Sequence, residues 1–193
     1  MKRGIAATAA LLALSFGNTA SAEPKRYELD PQHSFPSFAF SHMGLSVWRG
    51  KFDRTKGTVI LDRAARRGSV DIHVDPASIN FGLQVMNDKA RSDDFFNVAK
   101  YPHATYRGDI VFDGDTPVAV DGSITLLGVS KPLKLKIRSF KCAPNPMTRV
   151  EICGADVGAT VNWGEYGMKL SQYGQGDAGL VQLDIQVEAS PAK

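Results

Sequence analysis

Along the chain, Leu133, Leu135 and Ile137 alternate with Lys134, Lys136 and Arg138, and Val181, Leu183, Ile185 and Val187 alternate with Gln182, Asp184, Gln186 and Glu188. A period of two puts the apolar set on one face of a strand and the polar set on the other. Less regular alternation runs through Val70, Ile72 and Val74 and through Val118, Val120, Ile124 and Leu126. Further strand candidates are 26–30, 35–42, 46–52, 57–62, 103–112 and 149–161, separated by Gly, Pro, Asp and Asn. About eight to ten short strands with turn chemistry between them predict an antiparallel barrel or sandwich. Helical spacing occurs once, over 83–98, where Leu83, Met86 and Ala90 share a face and Ser92 is placed to cap a short following turn. One short helical insertion in an otherwise all-β meander is the expected helix content.

Alternation alone does not say whether the apolar face points into a barrel or out into lipid. An outer-membrane barrel needs strands of about ten residues with aromatic girdles at both interfaces. Here Phe35, Phe38 and Phe40 cluster, as do Phe81, Phe95 and Phe96, and the chain ends on a polar tail, so a barrel with an apolar interior is the better reading.

The first 22 residues differ in character from the rest. Lys2 and Arg3 precede an apolar stretch from Ile5 to Phe16, and Ala20-Ser21-Ala22 is a small-residue cleavage pattern. This predicts a secretory signal peptide over 1–22, cleaved after Ala22, and a single domain over 23–193 exported to the periplasm. The alternative, a retained anchor, is short against the roughly 20 apolar residues that span a bilayer. Removal of Lys2 and Arg3 leaves 21 basic against 20 acidic side chains with no basic run, which argues against nucleic acid as the partner.

In an oxidising compartment an even cysteine count favours a disulfide. Cys142 and Cys153 flank the turn cluster Pro144-Asn145-Pro146 and are placed to meet across a hairpin. Such a loop contributes on the order of 3 kcal/mol in a chain-entropy estimate. A redox pair, metal ligands and free thiols remain alternatives, although the spacing is not Cys-x-x-Cys and no His lies close in sequence.

Catalytic signals are weak. No Gly-x-Ser-x-Gly elbow is present, and His33, His42, His73 and His103 show no His-x-x-x-His or His-Glu-x-x-His spacing. His73 alternates outward; His33 and His42 flank an aromatic-rich strand and are candidates for a pocket mouth.

Several segments together resemble the YceI-like polyisoprenoid-binding periplasmic proteins. They are Tyr27-Glu28-Leu29-Asp30 leading to His33-Ser34, Phe38-x-Phe40-x-His42-Met43-Gly44, Gly50-x-Phe52, Arg91-Ser92-x-Asp94-Phe95-Phe96-Asn97-Val98, Lys100-Tyr101-Pro102 and Gly122-x-Ile124-Thr125-Leu126-x-Gly128-Val129-Ser130-Lys131-Pro132. The ordered match runs from about Tyr27 to Glu188, and Cys142 to Asp156 is similar to a cysteine-bearing subgroup. Where that subgroup tends to carry Asn-Arg-x-x-Phe-Gly-Met, this chain has Asn162-Trp163-Gly164-Glu165-Tyr166-Gly167-Met168, a departure that removes a cation.

The resemblance implies a lipocalin-like antiparallel β-barrel of about eight strands, wide enough to enclose one slender ligand. It implies an apolar tunnel for a polyisoprenoid, quinone-like or other long-chain amphiphilic lipid, with no metal, no cofactor and no catalysis. The ligand is then a small-molecule lipid, with a transient membrane contact and a homodimer left open. Candidate ligand contacts by position in the matching motifs are His33, Ser34, Phe38, Phe40, His42, Arg91, Asp94, Phe95 and Phe96. Along the alternating strands Ile124, Leu126, Leu133, Leu135 and Leu183 join them. Arg91 and Asp94, three apart, can instead pair with each other, and Phe95 and Phe96 can serve the core. Two rival functions are a hydrolase using His33, Ser34 and Asp94 on a lipid ester and a ligand-free structural barrel of the stress response.

Overall fold

The computed structural model describes residues 23–169 and 179–192, so the segment 1–22 expected to direct export lies outside the described residues. Eight antiparallel strands close a barrel. In order of pairing they are β1 (Lys25–Leu29), β4 (Thr55–Asp62), β5 (Arg67–Val74), β7 (Ala104–Asp113), β8 (Thr116–Leu126), β9 (Val129–Pro144), β10 (Glu151–Asn162) and β11 (Leu180–Pro191). The ring closes where Tyr27 pairs with Pro191. β2 (Phe35–His42) and β3 (Ser46–Phe52) form a hairpin on the edge of β11, and β6 (Ile79–Asn80) extends β3. α1 (Gln84–Arg91) follows β6 and is the single α-helix among the described residues.

The helix is shorter than the spacing over 83–98 predicts. The Ser92 amide and hydroxyl both donate to the Lys89 carbonyl, at 3.1 and 2.7 Å, which closes the last turn of α1. A short turn does follow Ser92, whose carbonyl accepts from the Phe95 (3.1 Å) and Asn97 (2.8 Å) amides, while its side chain bonds back to the helix instead of capping that turn.

Where the chain turns between β1 and β2, it stays fastened to β11. The Asp30 amide donates to the Glu188 carbonyl (2.8 Å); the Ser34 hydroxyl donates to the same carbonyl (3.0 Å) and accepts from the Glu188 amide (3.1 Å). The serine side chain thus supplies the pairing that the backbone abandons in the turn. One edge of β11 is consequently divided, with residues 189–191 on β1 and 181–186 on β2.

This division leaves a seam. β1 pairs with β4 at Thr58 to Leu61 and no further, and no described pairing joins β3 to β4. At Thr55 the strand is therefore paired on one side only, with Val74 of β5.

The predicted alternation sets the core. Val120, Ile124, Leu126, Leu133, Leu135, Ile137, Leu183, Ile185 and Val187 face inward, while Lys134 on the outer face pairs with Asp121 at 2.9 Å. Three connected apolar clusters run the length of the barrel: around Phe38 and Trp163 at the α1 end, around Tyr106 and Val157 in the middle, and around Tyr27 and Cys153 at the far end. The two-residue link from β8 to β9 has positive φ at both Leu127 (51°) and Gly128 (76°), the requirement of a tight hairpin turn. Packing of Leu127 against the first cluster offsets the strain of a branched residue there.

Candidate functional site

Within the barrel lies a cavity of about 200 Å³. Its walls are carbon on every strand of the ring, and no Lys, Arg, His, Asp or Glu is among the lining residues. On β11 the lining positions run from Leu183 to Ala189, about 20 Å along the strand at ~3.3 Å per residue. The cavity is thus long and slender, below the roughly 300–1,000 Å³ of pockets for compact drug-sized ligands.

Tyr106 on β7 shows how the lumen stays open. Opposite its strand lies Gly122 of β8, where a Cβ would fall 2.7 Å from the Tyr106 hydroxyl. The missing side chain lets the ring lie along the wall, and the hydroxyl bonds the carbonyls of Leu133 (2.8 Å) and Val120 (3.0 Å). Burial pushes this phenol up to about 12, so it remains a neutral donor.

At the α1 end the cavity is stopped by aromatic rings. Trp163 packs edge-on to Phe38 (centroids 5.0 Å) and Phe96 (5.1 Å), and Phe52 meets Phe38 (5.5 Å) and Phe96 (5.4 Å). Phe40 and Phe81 add an outer layer. Trp163 is buried and lines the cavity, so the position where the sequence departs from its subgroup contributes apolar surface. Asn162 seats it by accepting from the Gly164 amide at 3.0 Å.

The opposite end is closed by polar groups and a covalent bond. Cys142 and Cys153 stand opposite each other in the β9–β10 pair and form a disulfide. Nearby, the Tyr27 hydroxyl donates to Glu151 Oε1 at 2.7 Å, and Lys25 and Arg63 pair with the same carboxylate at 3.4 and 3.1 Å. Burial, with Glu151 behind it, pushes the Tyr27 phenol up to about 12; the hydrogen bond from Tyr27 and the two cations hold the Glu151 carboxyl below its ordinary range.

The sequence candidates divide between the cavity and its frame. Phe96, Ile124, Leu126, Leu133, Leu135 and Leu183 line the cavity. Phe38 is buried just behind the lining, and Phe40 and Phe95 pack against the same cluster. His42 stacks on Trp48 at 4.0 Å near the tip of the β2–β3 hairpin. Arg91 donates to the carbonyls of Ala77 (2.8 Å) and Ile79 (3.3 Å) and pairs with Asp88, tying α1 to the chain that precedes it. It does not pair with Asp94. That carboxylate takes Lys89 (2.5 Å) and Lys169 (2.9 Å), whose hydrogen bonds pull it down to about 2.

His33 and Ser34 do not form a relay. His33 Nδ1 meets Asp30 Oδ2 at 2.8 Å; that bond raises the imidazole and lowers the carboxyl from their ordinary values. Ser34 is fully buried, gives its hydroxyl proton to the Glu188 carbonyl and is not among the residues that line the cavity.

Sequence reasoning missed Thr55, which is 4% exposed and lines the cavity. Extending the register of Val59 and Leu61 back along β4 turns Gly57 and Thr55 inward, but neither is strongly apolar, so the alternation fades before it reaches them.

The family model described as YceI-like domain matches residues 27–190. A UPF0312 protein of Pseudomonas savastanoi pv. phaseolicola is 30% identical over 196 residues, covering all of both chains. Protein YceI of Escherichia coli O17:K52:H18 is 30% identical over 140 residues, 72% of this chain and 73% of its own. A polyisoprenoid-binding domain from Saccharophagus degradans, implicated in plant cell wall breakdown, superposes with a TM-score of 0.61 at 19% identity, covering 86% of this chain and 98% of its own. With the closed barrel, its apolar lumen and a family match over almost the whole described chain, this protein belongs to the YceI-like domain family.

Proposed function

We propose that the protein holds a polyisoprenoid, quinone-like or other long amphiphilic lipid in the barrel and carries it within the periplasm, without catalysing a reaction on it. The observation that carries this reading is the continuous carbon-lined cavity along the barrel axis, with no ionisable side chain on its wall. Burial of a hydrocarbon tail there contributes about 0.8 kcal/mol per methylene, before the ordering of the chain offsets part of it. The S. degradans domain, described as polyisoprenoid-binding, shares the barrel architecture. Export is supported by the leader-like pattern of residues 1–22 and by the Cys142–Cys153 bridge, which persists in an oxidising compartment.

The test is mass spectrometry of an organic extract of the protein released from its own periplasm by osmotic shock. A long-chain lipid should co-purify with the wild type and with Lys134→Glu on the outer face, and be lost from folded Ile124→Lys, whose charge would sit unpaired in the lumen. Wild-type protein that carries no extractable lipid and binds no added isoprenoid would overturn the reading.

A further inference from the structure

Half of the large apolar side chains that stand exposed among the described residues fall in two neighbouring segments at the α1 end. Met43 (67% exposed), Leu45 (80%) and Val47 (51%) surround the tip of the β2–β3 hairpin; Leu83 and Val85 open α1 just after Phe81, which packs on Phe40 of that hairpin (centroids 6.2 Å). Exposed aliphatics scattered singly need no explanation, but a group of them does. The tip is also built to hold them out. Met43 and Gly44 both have positive φ (54° and 74°), a turn that ordinarily selects Asn, Asp or Gly. The Leu45 amide donates to the His42 carbonyl (3.0 Å), the Gly44 amide donates to the Ser41 hydroxyl (3.2 Å), and the His42 ring stacks on Trp48 (4.0 Å). A methionine in the left-handed region is strained, and at 67% exposure Met43 gains little burial in return, a combination that points to function.

Two observations say what covers this surface. Its charge is one-sided: between Asp30 and Asp53 the chain has no acidic residue and carries His33, His42, Arg49 and Lys51. Lys51 pairs with Asp53, whereas Arg49 is exposed, with its guanidinium on the Val47 carbonyl and no carboxylate partner among the described residues. Its apolar character also runs inward without a break. Phe40 meets Trp48, Phe81 and Trp163, and Trp163 lines the cavity. A protein partner would require only the exposed aliphatics. A surface that joins them to an unpaired cation and to a hydrocarbon lumen matches an anionic bilayer, whose headgroups take the cation and whose acyl region takes the aliphatic side chains.

We propose that the β2–β3 hairpin tip and the start of α1 form a docking surface for an anionic phospholipid membrane, with Met43 and Leu45 entering the interface and Arg49 on the headgroups. The aromatic end of the barrel then faces the bilayer. The inference rests on the lipid-binding reading above and adds the surface from which the ligand comes.

The experiment is co-sedimentation of the oxidised protein, as released by osmotic shock, with vesicles of phosphatidylcholine alone or mixed with phosphatidylglycerol, beside binding of geranylgeraniol in solution. Wild type should sediment with the mixed vesicles, and added salt should weaken that binding. Met43→Ser with Leu45→Ser should weaken it about tenfold or more, as two apolar side chains lose their place in the interface. Geranylgeraniol affinity and melting temperature should stay at wild-type values. Arg49→Gln should lose about fivefold on the mixed vesicles and leave the weaker binding to neutral ones unchanged. Met147→Ser removes the most exposed apolar side chain (87%), but in the β9–β10 turn beyond the disulfide, and should bind as wild type does. Wild type that binds geranylgeraniol but no vesicles, tip variants that bind vesicles as wild type does, or a tip-dependent dimer that ignores vesicles, would each overturn the docking surface and leave the lipid-binding reading standing. Failure of wild type to bind geranylgeraniol would instead bring down that reading, and the docking surface with it.

Discussion

At the disulfide end of the barrel, Cys142–Cys153 staples β9 to β10, and Tyr27, Lys25 and Arg63 converge on Glu151. At the α1 end, Trp163 meets Phe38 and Phe96 edge to face, Phe52 meets Phe96 in the same way and tilts against Phe38, and the adjoining wall between β3 and β4 has no described ladder. The first closure is covalent and directional, so opening it means breaking specific bonds. The second is held by dispersion and burial, which aromatic rings recover after a rotation as long as they find new neighbours. On the lipid-binding reading proposed above, the aromatic end is the port of the barrel and the stapled end its floor. Met43, Leu45 and Val47, exposed around the tip of the β2–β3 hairpin, extend the apolar character of the port outward.

Breaking the port should give the largest effect. Trp163→Ala removes the ring shared by Phe38 and Phe96 and should lower unfolding free energy by about 3–5 kcal/mol in denaturant titration. It should also speed release of bound hydrocarbon, read by stopped-flow fluorescence; unchanged release with lowered stability would mean that the plug only packs the core. Opening the floor comes next. Cys142→Ala with Cys153→Ala should cost on the order of 3 kcal/mol, with hydrocarbon release rates close to those of wild type. Equal acceleration by both changes would erase the distinction between port and floor.

The smallest effect sharpens the comparison by pH. Asp94, beside the port, is drawn down to about 2 from 3.8, first by the hydrogen bond from Lys89 and then by that from Lys169. A depressed carboxylate contributes stability that is present above its unfolded value and lost as pH falls through its folded one. The melting temperature should therefore drop as pH falls from about 4 toward 2, and Asp94→Asn should flatten part of that slope. Superimposable acid limbs for variant and wild type would show that this exposed clamp does not matter to stability. Glu151 is also depressed, so Glu151→Gln should flatten the same limb from the floor side.

Much of this arrangement was legible before the structure. Strands such as β8, β9 and β11 announce themselves because one face is aliphatic and the other charged, and the same alternation places Ile124, Leu135 and Leu183 in the lumen. β6 escaped notice because two residues, Ile79 and Asn80, carry no period. Motif position does not reveal direction, so sequence alone points to the polar residues of the matching motifs as ligand contacts. Ser34, Arg91 and Asp94 are spent on backbone carbonyls and lysines, where the chain turns away from its ladder and needs side chains to stand in for it. Thr55 was hidden for the converse reason: it is inward-facing but polar, and hydropathy ranks such a residue as surface.

The division of β11 between two neighbours has a consequence for how the molecule comes into being. The pair that closes the ring joins Tyr27 to Pro191, so the first barrel strand waits for the last to emerge. Pairings between strands so distant in sequence form slowly, because a long loop must be closed before any contact rewards it. Until then β1 and β10 present bare edges, which invite pairing with other chains. The hairpins from β7 to β10 join strands that are adjacent in sequence and can form early, whereas the cavity exists only after β11 has docked. On the proposed reading, ligand loading is thereby tied to the final step of folding, because a chain that has not finished folding has no lumen to fill.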